Sequence, residues 1–470
     1  MQQYEVIIIG AGPAGYVSAI RCAQLGMKTA CIDQWINDAG KPVLGRTCLN
    51  VGCIPSKALL DSSHHFMNMN EHAKEHGIHV SKLKIDVSVM QKRKNKIVQI
   101  LTGGVASLLK KNKVDTYYGT ASFISPTEIS VKNNQESVEL QAKQIIIATG
   151  SKPAPLSIAP VDNDKILDST GALSLQDIPK TLGIIGAGVI GLEMGSVWSR
   201  LGAEVTVLEA LDEFLPFTDH SIASEALKNL TKQALDIRLG SLVKAVNINH
   251  DKVDVTYLIK NDENTLQVDK LVVAIGRSAN TDGLDLDNAN VDIDDKGFIK
   301  VDANWQTTSE NIYAIGDVIG GAMLAHKGSD EGVALAEQLA GQAGHVNYLA
   351  IPWVIYTWPE IAWVGMTEKQ CKKAELDYRV GTFPFMALGR ARAMGDTQGT
   401  IKMIGDAQTD RILGVHIFGP NASELISEAV VAIEADLTTE DLARTVHAHP
   451  TLAEGMHETA LAVAERAIHI

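Results

Sequence analysis

Glu5-Val6-Ile7-Ile8-Ile9-Gly10-Ala11-Gly12-Pro13-Ala14-Gly15 stands near the start of the 470-residue chain. Its apolar run reads as a parallel strand buried on both faces. Glycines at GxGxxG spacing follow, then a helical stretch to Gly26 and a second strand, Met27 to Asp33. Strand, glycine turn, helix, strand and acid in that order fit a dinucleotide. The glycines let backbone approach a diphosphate closely, and the helix start meets it with unsatisfied N–H groups. Gly10, Gly12, Pro13, Ala14 and Gly15 form the expected cradle, with Asp33 placed to accept from ribose hydroxyls. These residues do not distinguish one dinucleotide from another.

The same unit recurs. Thr181 to Ile185 is a second buried run, followed by Gly186-Ala187-Gly188-Val189-Ile190-Gly191, a helix to Gly202 and a strand ending at Glu209. Gly10 and Gly186, Gly15 and Gly191, Gly26 and Gly202, Asp33 and Glu209 are all 176 residues apart. A repeat without insertions implies two dinucleotide sites. Ala210, Leu211, Asp212 and Glu213 follow Glu209, with no Lys or Arg to receive a 2′-phosphate. A carboxylate there bonds a free 2′-hydroxyl and repels a phosphate, so the second site is expected to take NAD rather than NADP.

Between the repeats lies Gly45 to Lys57, GRTCLNVGCIPSK, with two of the chain's five cysteines. Pro55 suits the first turn of a helix. Cys53 then sits near a helix N-terminus, where partial positive charge favours thiolate. Residues five apart in a regular helix are too distant to be bridged, so Cys48 is expected in the preceding loop. A short closed loop adds little stability, which favours a disulfide that opens and closes over a structural one. Zinc would need two further ligands, and Cys22, Cys31 and Cys371 are scattered.

A net charge of −14 argues against nucleic acid as a partner. No run reaches the ~18–20 apolar residues of a membrane helix. MQQYEVIIIG carries no signal or transit pattern, so the expected setting is the cytoplasm, with a mature mitochondrial matrix form as the alternative. Residues 64–79, rich in His and Met, read as a helix with a polar face and Met packing. Gln91 to Lys96 reads as a solvated helix face. Val114 to Gln141 suggests small antiparallel strands, and Gln144 to Gly150 a strand returning to the first sheet. Ser151 to Pro160 reads as a linker. Asn311 to Asp317 is a strand ending in Gly-Asp, back at the first nucleotide site. From Ile351 aromatics cluster and strands alternate with two helices. His449 precedes Pro450 and lies in extended or turn backbone. Glu454 starts a helix five residues later. A His oriented by a carboxylate is the usual build of a general base, although such pairs are more often structural.

Taken together, GAGPAG at Gly10–Gly15, TCLNVGCIPSK at Thr47–Lys57, ATG at Ala148–Gly150, GAGVIGLEMG at Gly186–Gly195, AIGR at Ala274–Arg277, AIGDVIGGAMLAHKG at Ala314–Gly328 and HAHPTLAE at His447–Glu454 resemble the pyridine nucleotide–disulfide oxidoreductases. The resemblance spans essentially the whole chain. It implies an α/β fold of two Rossmann-like dinucleotide-binding domains and a C-terminal α+β dimerisation domain. The implied boundaries are 1–150 (FAD and the redox disulfide), 151–280 (NAD), 281–350 (completing the FAD site) and 351–470 (interface).

By the same resemblance, FAD meets Gly10, Gly12, Pro13, Ala14, Gly15, Asp33, Thr47, Cys48, Lys57, Gly119, Ala148, Thr149, Gly150, Gly316, Asp317, Met323, Leu324, Ala325 and His326. NAD meets Gly186, Gly188, Val189, Ile190, Gly191, Glu193, Glu209, Ala274 and Gly276. Cys48 is implied to exchange with substrate and Cys53 to face the flavin. Lys57 is expected to pair with Glu193, and His449 with Glu454 to act across a homodimer. The implied activity is oxidation of protein-bound dihydrolipoyl groups with NAD+. The implied partners are lipoyl domains and the acyltransferase core of 2-oxo acid dehydrogenase complexes, and the glycine cleavage H protein. A glutathione-type reductase is the alternative, but it expects basic residues near Glu209. A lipoyl-binding structural flavoprotein is another, against which Cys48, Cys53 and His449 argue. Four positions depart from the family pattern: Asp33 where Glu is usual, Arg46 where Gly is common, Ser278 where Arg is common, and Trp358 in place of a smaller or polar residue.

Overall fold

Alternate residues of Gln2–Ile9 are buried on opposite faces of one sheet. Ile7 and Ile9 join Ile32, Ile145 and Ile147 on one side, while Val6, Ile8 and Ile146 pack with Ala19 and Leu335 on the other. Each such fully buried Ile contributes about 1.5–3 kcal/mol. A computed structural model describes residues 1–133 and 136–470 of the chain. They form two compact units. The first is made of residues 1–59, 86–155 and 275–346, and the second of 60–85, 156–274 and 347–470.

In the first unit, strands β1 (Gln2–Ile9) and β2 (Thr29–Asp33) pair in parallel. Ser137–Ile147 pairs in parallel with β1 and antiparallel with Glu128–Lys132, so one strand serves both the nucleotide sheet and the small antiparallel extension. Ile312–Ala314 adds to its other side. Helix α1 (Pro13–Gln24) follows the glycine turn. Helices α2 (Arg46–Val51) and α3 (Cys53–Glu71) carry the cysteines.

Four expectations from the sequence are overturned in the fold, three of them in this unit. Cys48 lies in helix α2, not in a loop. A regular helix is avoided because the backbone breaks at Gly52 (φ −134°, ψ −119°). Ser151–Pro153 is a short strand paired with Arg277–Ala279, where a linker was expected. Proline is tolerated because the ribbon has a free edge, and Ala154 N–H still donates to the Gly276 carbonyl. Gln91 and Lys94 are buried, three residues apart on the inner face of the helix Val87–Lys111, while Lys92 and Lys96 face solvent. Helical spacing divides that charged run between two faces.

In the second unit, Leu235–Arg238, Glu204–Leu208, Thr181–Ile185, Lys270–Val273 and Ile166–Leu167 form a five-stranded parallel sheet in that order. A three-stranded antiparallel sheet spans residues 241–268. Beyond Asn347 comes a five-stranded antiparallel sheet. It is accompanied by more than the two helices expected: Glu368–Lys373, Gly389–Met394, Ala422–Glu434, Thr439–Arg444 and Glu454–Val463. The short ones escape notice because a single turn leaves no periodicity to read. No helix among the described residues is long and apolar enough to cross a membrane.

Candidate active site

The two glycine turns match bond for bond. Gly10 N–H donates to Ile32 O, and Gly186 N–H to Leu208 O, each at 2.8 Å. Asp33 Oδ2 accepts from Ala11 N–H at 2.9 Å and Oδ1 from Trp35 N–H at 3.0 Å. Glu209 Oε2 accepts from Ala187 N–H at 2.8 Å and Oε1 from Leu211 N–H at 3.0 Å. Gly10 and Gly186 hold positive φ of 107° and 105°, conformations open to glycine. A Cβ on Gly15 would lie 1.7 Å from Gly10 O, so helix and strand close to a distance no side chain permits. Helix α1 and the helix Val189–Arg200 both begin without a side-chain cap, at Gly12 and Gly188. Uncapped N–H groups beside space that no Cβ fills suit a diphosphate. The fit of both turns to a dinucleotide rests on these features. Thr149 Oγ1, buried and without a partner among the described residues, adds a polar group to the first.

Further residues converge on the first turn. Gly119 N–H donates to Asp33 O at 2.9 Å. Ala148 N–H donates to Ile9 O, which brings Ala148, Thr149 and Gly150 beside it. Gly316 (φ +77°) and Gly328 both approach Ala14, where a Cβ on either would stand 3.0 or 3.1 Å from the Ala14 Cβ. That approach sets the Gly316–Asp317 turn and the start of the helix Ala325–Leu339, hence Met323, Leu324 and His326, near the cradle.

Residues overlooked by the sequence reading hold this turn. Ser151 Oγ donates to Asp317 Oδ2 at 2.5 Å, and Arg277 Nε donates to Ser151 Oγ at 2.6 Å. Lys327 Nζ sits 3.2 Å from Glu331 Oε1 and donates to the Gly316 and Gly320 carbonyls, while Glu331 Oε2 accepts from Gly316 N–H. Both side chains are almost wholly buried. Lys327 lies within the AHKG stretch, whose spacing does not reveal what the amine pins.

Cys48 and Cys53 stand at the α2–α3 junction as a dithiol. A hydrogen bond with the Cys53 thiol, together with burial, holds the Cys48 thiol far above the ordinary cysteine range, and Lys57 pulls the other way. Lys57 lies one turn beyond Cys53 on the same face of α3. Cys53 is exposed and Cys48 half-buried. Thr47 precedes Cys48 in α2.

In the second unit Glu193 is buried in the helix Val189–Arg200 and accepts from Tyr356 N–H at 3.1 Å. Val189 and Ile190 open that helix, and Ala274 N–H donates to Ile185 O at 2.8 Å. Gly276 (φ +130°) falls in the first unit, its carbonyl bonded to Ala154. His449 Nδ1 lies 2.8 Å from Glu454 Oε1, and Glu454 Oε2 accepts from Thr451 N–H at 2.8 Å. Burial raises the Glu454 carboxyl, but the Thr451 N–H and His449 outweigh it and hold it below the usual carboxylate range. The imidazole is 78% exposed, so with Nδ1–H donated to Glu454 its Nε2 is left open to a substrate proton. His447 forms a second pair, with Glu428, at 2.7 Å.

Residues 4–332 match the model of the pyridine nucleotide-disulphide oxidoreductase family, and residues 351–460 match that family's dimerisation domain. A dihydrolipoyl dehydrogenase of Cupriavidus necator is 50% identical over 472 residues, covering 100% of both chains. A mitochondrial dihydrolipoyl dehydrogenase of Pisum sativum is 47% identical over 99% of this chain and 92% of its own. Among solved structures, the HOCl-induced flavoprotein disulfide reductase RclA from Escherichia coli, in its Cu(II) complex, superposes with a TM-score of 0.86 at 30% identity, covering 98% of this chain and 99% of its own.

Proposed function

The chain belongs to the pyridine nucleotide-disulphide oxidoreductases, and from that premise we propose that it oxidises protein-bound dihydrolipoyl groups with NAD+. It is an NAD-dependent flavoprotein oxidoreductase, with FAD and NAD as its cofactors. The observation that carries the proposal is the dithiol at the α2–α3 junction, in the same unit as the first nucleotide turn.

With the pair oxidised, His449 Nε2 takes a proton from one dihydrolipoyl thiol, and Glu454 steadies the imidazolium. The substrate thiolate attacks Cys48 Sγ, forming a mixed disulfide and breaking the Cys48–Cys53 bond, whose electron pair leaves on Cys53. The second substrate thiol displaces Cys48, giving the cyclic lipoyl disulfide and the enzyme dithiol. Two electrons and two protons have then moved from substrate to the enzyme. FAD, when bound, supplies the two-electron exchange between that dithiol and NAD+. Glu209 favours NAD because it follows the strand Glu204–Leu208, where a carboxylate can accept from a free ribose hydroxyl, and no cation stands beside it in sequence.

We assign the working form as a homodimer through residues 351–460, with His449 serving the partner subunit's cysteines. Lipoyl domains of 2-oxo acid dehydrogenase complexes, or the glycine cleavage H protein, present the substrate. The setting we assign is the cytoplasm, with the mitochondrial matrix as the alternative, since the relatives include a bacterial and a mitochondrial enzyme. One assay pairing dihydrolipoamide with NAD+ against oxidised glutathione with NADPH tests the reading. Turnover only of the first pair is expected, and turnover only of the second refutes it.

A further inference from the structure

We propose that Arg46 binds the adenosine half of the flavin cofactor, standing between Asp33 and the ribose–diphosphate as the group that reads them. The two glycine turns share the hydrogen bonds given above, yet their acids differ in length and burial. Glu209 is only half-buried, and with both oxygens bonded to the Ala187 and Leu211 N–H groups it needs no cation beside it. Asp33 is one methylene shorter, and its side chain is 0% exposed. Both of its oxygens are taken by the Ala11 and Trp35 N–H groups. What lies over it is Arg46, with Nε 3.1 Å from Asp33 Oδ1, the only ion pair of that guanidinium among the described residues.

Arg46 is placed there at a cost. Its φ is +47°, in the left-handed region, directly after Gly45 at +97°. A non-glycine residue held so costs on the order of 1–3 kcal/mol. Its stem runs over the cradle, where a Cβ on Gly12 would stand 3.3 Å from the Arg46 Cβ and 3.5 Å from its Cγ. Its side chain lines a cleft with Gln34, Gly119, Thr149 and Asn280. A counter-ion for Asp33 alone would not need this position, since two N–H donors already satisfy the carboxylate. A nearly desolvated guanidinium at a helix start does have a reason to face a diphosphate. The two departures from the family pattern therefore form one device: the acid is shortened and buried, and the arginine takes over its outward role. This rests on FAD occupying the first turn.

The test is titration of apoprotein with FAD, followed by flavin fluorescence, with ADP and FMN as competing probes. Arg46→Gly is expected to weaken FAD and ADP about tenfold or more, as loss of a charge-assisted contact does, while FMN changes less than about twofold. Binding of FAD and ADP within twofold of wild type overturns the proposal. In the background of Asp33→Glu, where the longer acid reaches outward again, Arg46→Gly should cost under about threefold; an equal cost in both backgrounds also overturns it. Should Arg46→Gly alone fail to fold, Asp33→Glu is compared with Asp33→Glu/Arg46→Gly: a cost under threefold supports the exchange of roles and a tenfold cost refutes it. ADP that fails to compete with FAD on wild-type apoprotein removes the placement of the flavin, and the proposal with it.

Discussion

Replacing Gly52 by alanine should disturb the redox pair without touching either sulfur. The break at Gly52 folds the end of α2 back on itself. A Cβ there would stand 2.8 Å from the Thr47 carbonyl oxygen and 3.1 Å from the Cys48 Cα. Both are backbone atoms, so no side chain can swing away and the junction must open. Such overpacking against a rigid neighbour costs about 1–3 kcal/mol. A disulfide requires Cα atoms within about 4.4–6.8 Å, whereas two thiols tolerate a wider separation. The strain therefore falls mainly on the oxidised form. At 1.4 kcal/mol per decade, the dithiol should gain about ten- to a hundredfold over the disulfide. Equilibration in glutathione buffers, followed by acid quenching, alkylation and mass measurement, reads that ratio directly. A shift below twofold in a folded Gly52→Ala protein would refute the claim that this glycine sets the spacing of the sulfurs.

Cys48→Ser should abolish dihydrolipoamide turnover while flavin absorbance persists; near-wild-type activity would remove the disulfide from the reaction. His449→Ala should lower turnover by about 10²-fold as loss of a general base does, and Glu454→Gln by less, because it keeps the ring in place but weakens its support. The paired change Glu209→Ala/Leu211→Arg should move preference from NADH toward NADPH in steady-state assays, and an unchanged ratio would deny Glu209 its role. Lys402 Nζ, buried, lies 2.6 Å from Asp219 Oδ1 and also bonds Glu368. Burial raises the Asp219 carboxyl, but Lys402 and His416 more than compensate and draw it down to about 2. A depressed acid contributes stability that is present above its unfolded value of about 4 and is lost as pH falls toward 2. Lys402→Met should therefore cost about 3 kcal/mol at pH 7, and the gap in denaturation midpoint should narrow between pH 4 and pH 2.

Both nucleotide turns were legible in the residues because their chemistry is local. Gly10 and Gly186 need left-handed backbone, Gly15 and Gly191 permit close packing, and a strand must end in an acid. The His449–Glu454 pair was legible for the same reason, five residues of chain being enough to bring the groups together. Contacts between distant segments were not. Arg277 and Ser151 are 126 positions apart, and only the fold brings the guanidinium to the hydroxyl that holds Asp317. Arg46 is an isolated departure in the sequence, and only the fold sets its Nε against Asp33. The helical setting of Cys48 was hidden because a single glycine can end one helix and admit another at once, and no spacing rule records a break of that kind.

The first unit is assembled from three separate stretches of chain, and this orders its birth on the ribosome. Its last sheet strand, Ile312–Ala314, and the Asp317 turn are made long after β1. The parallel sheet of the second unit, by contrast, is complete once residue 273 has emerged. A nascent chain thus holds an unfinished first unit while the later-encoded parallel sheet of the second is already whole. The first unit waits for about two thirds of synthesis, so in nascent chains its N-terminal stretches should become resistant to protease only after the parallel sheet of the second unit has formed.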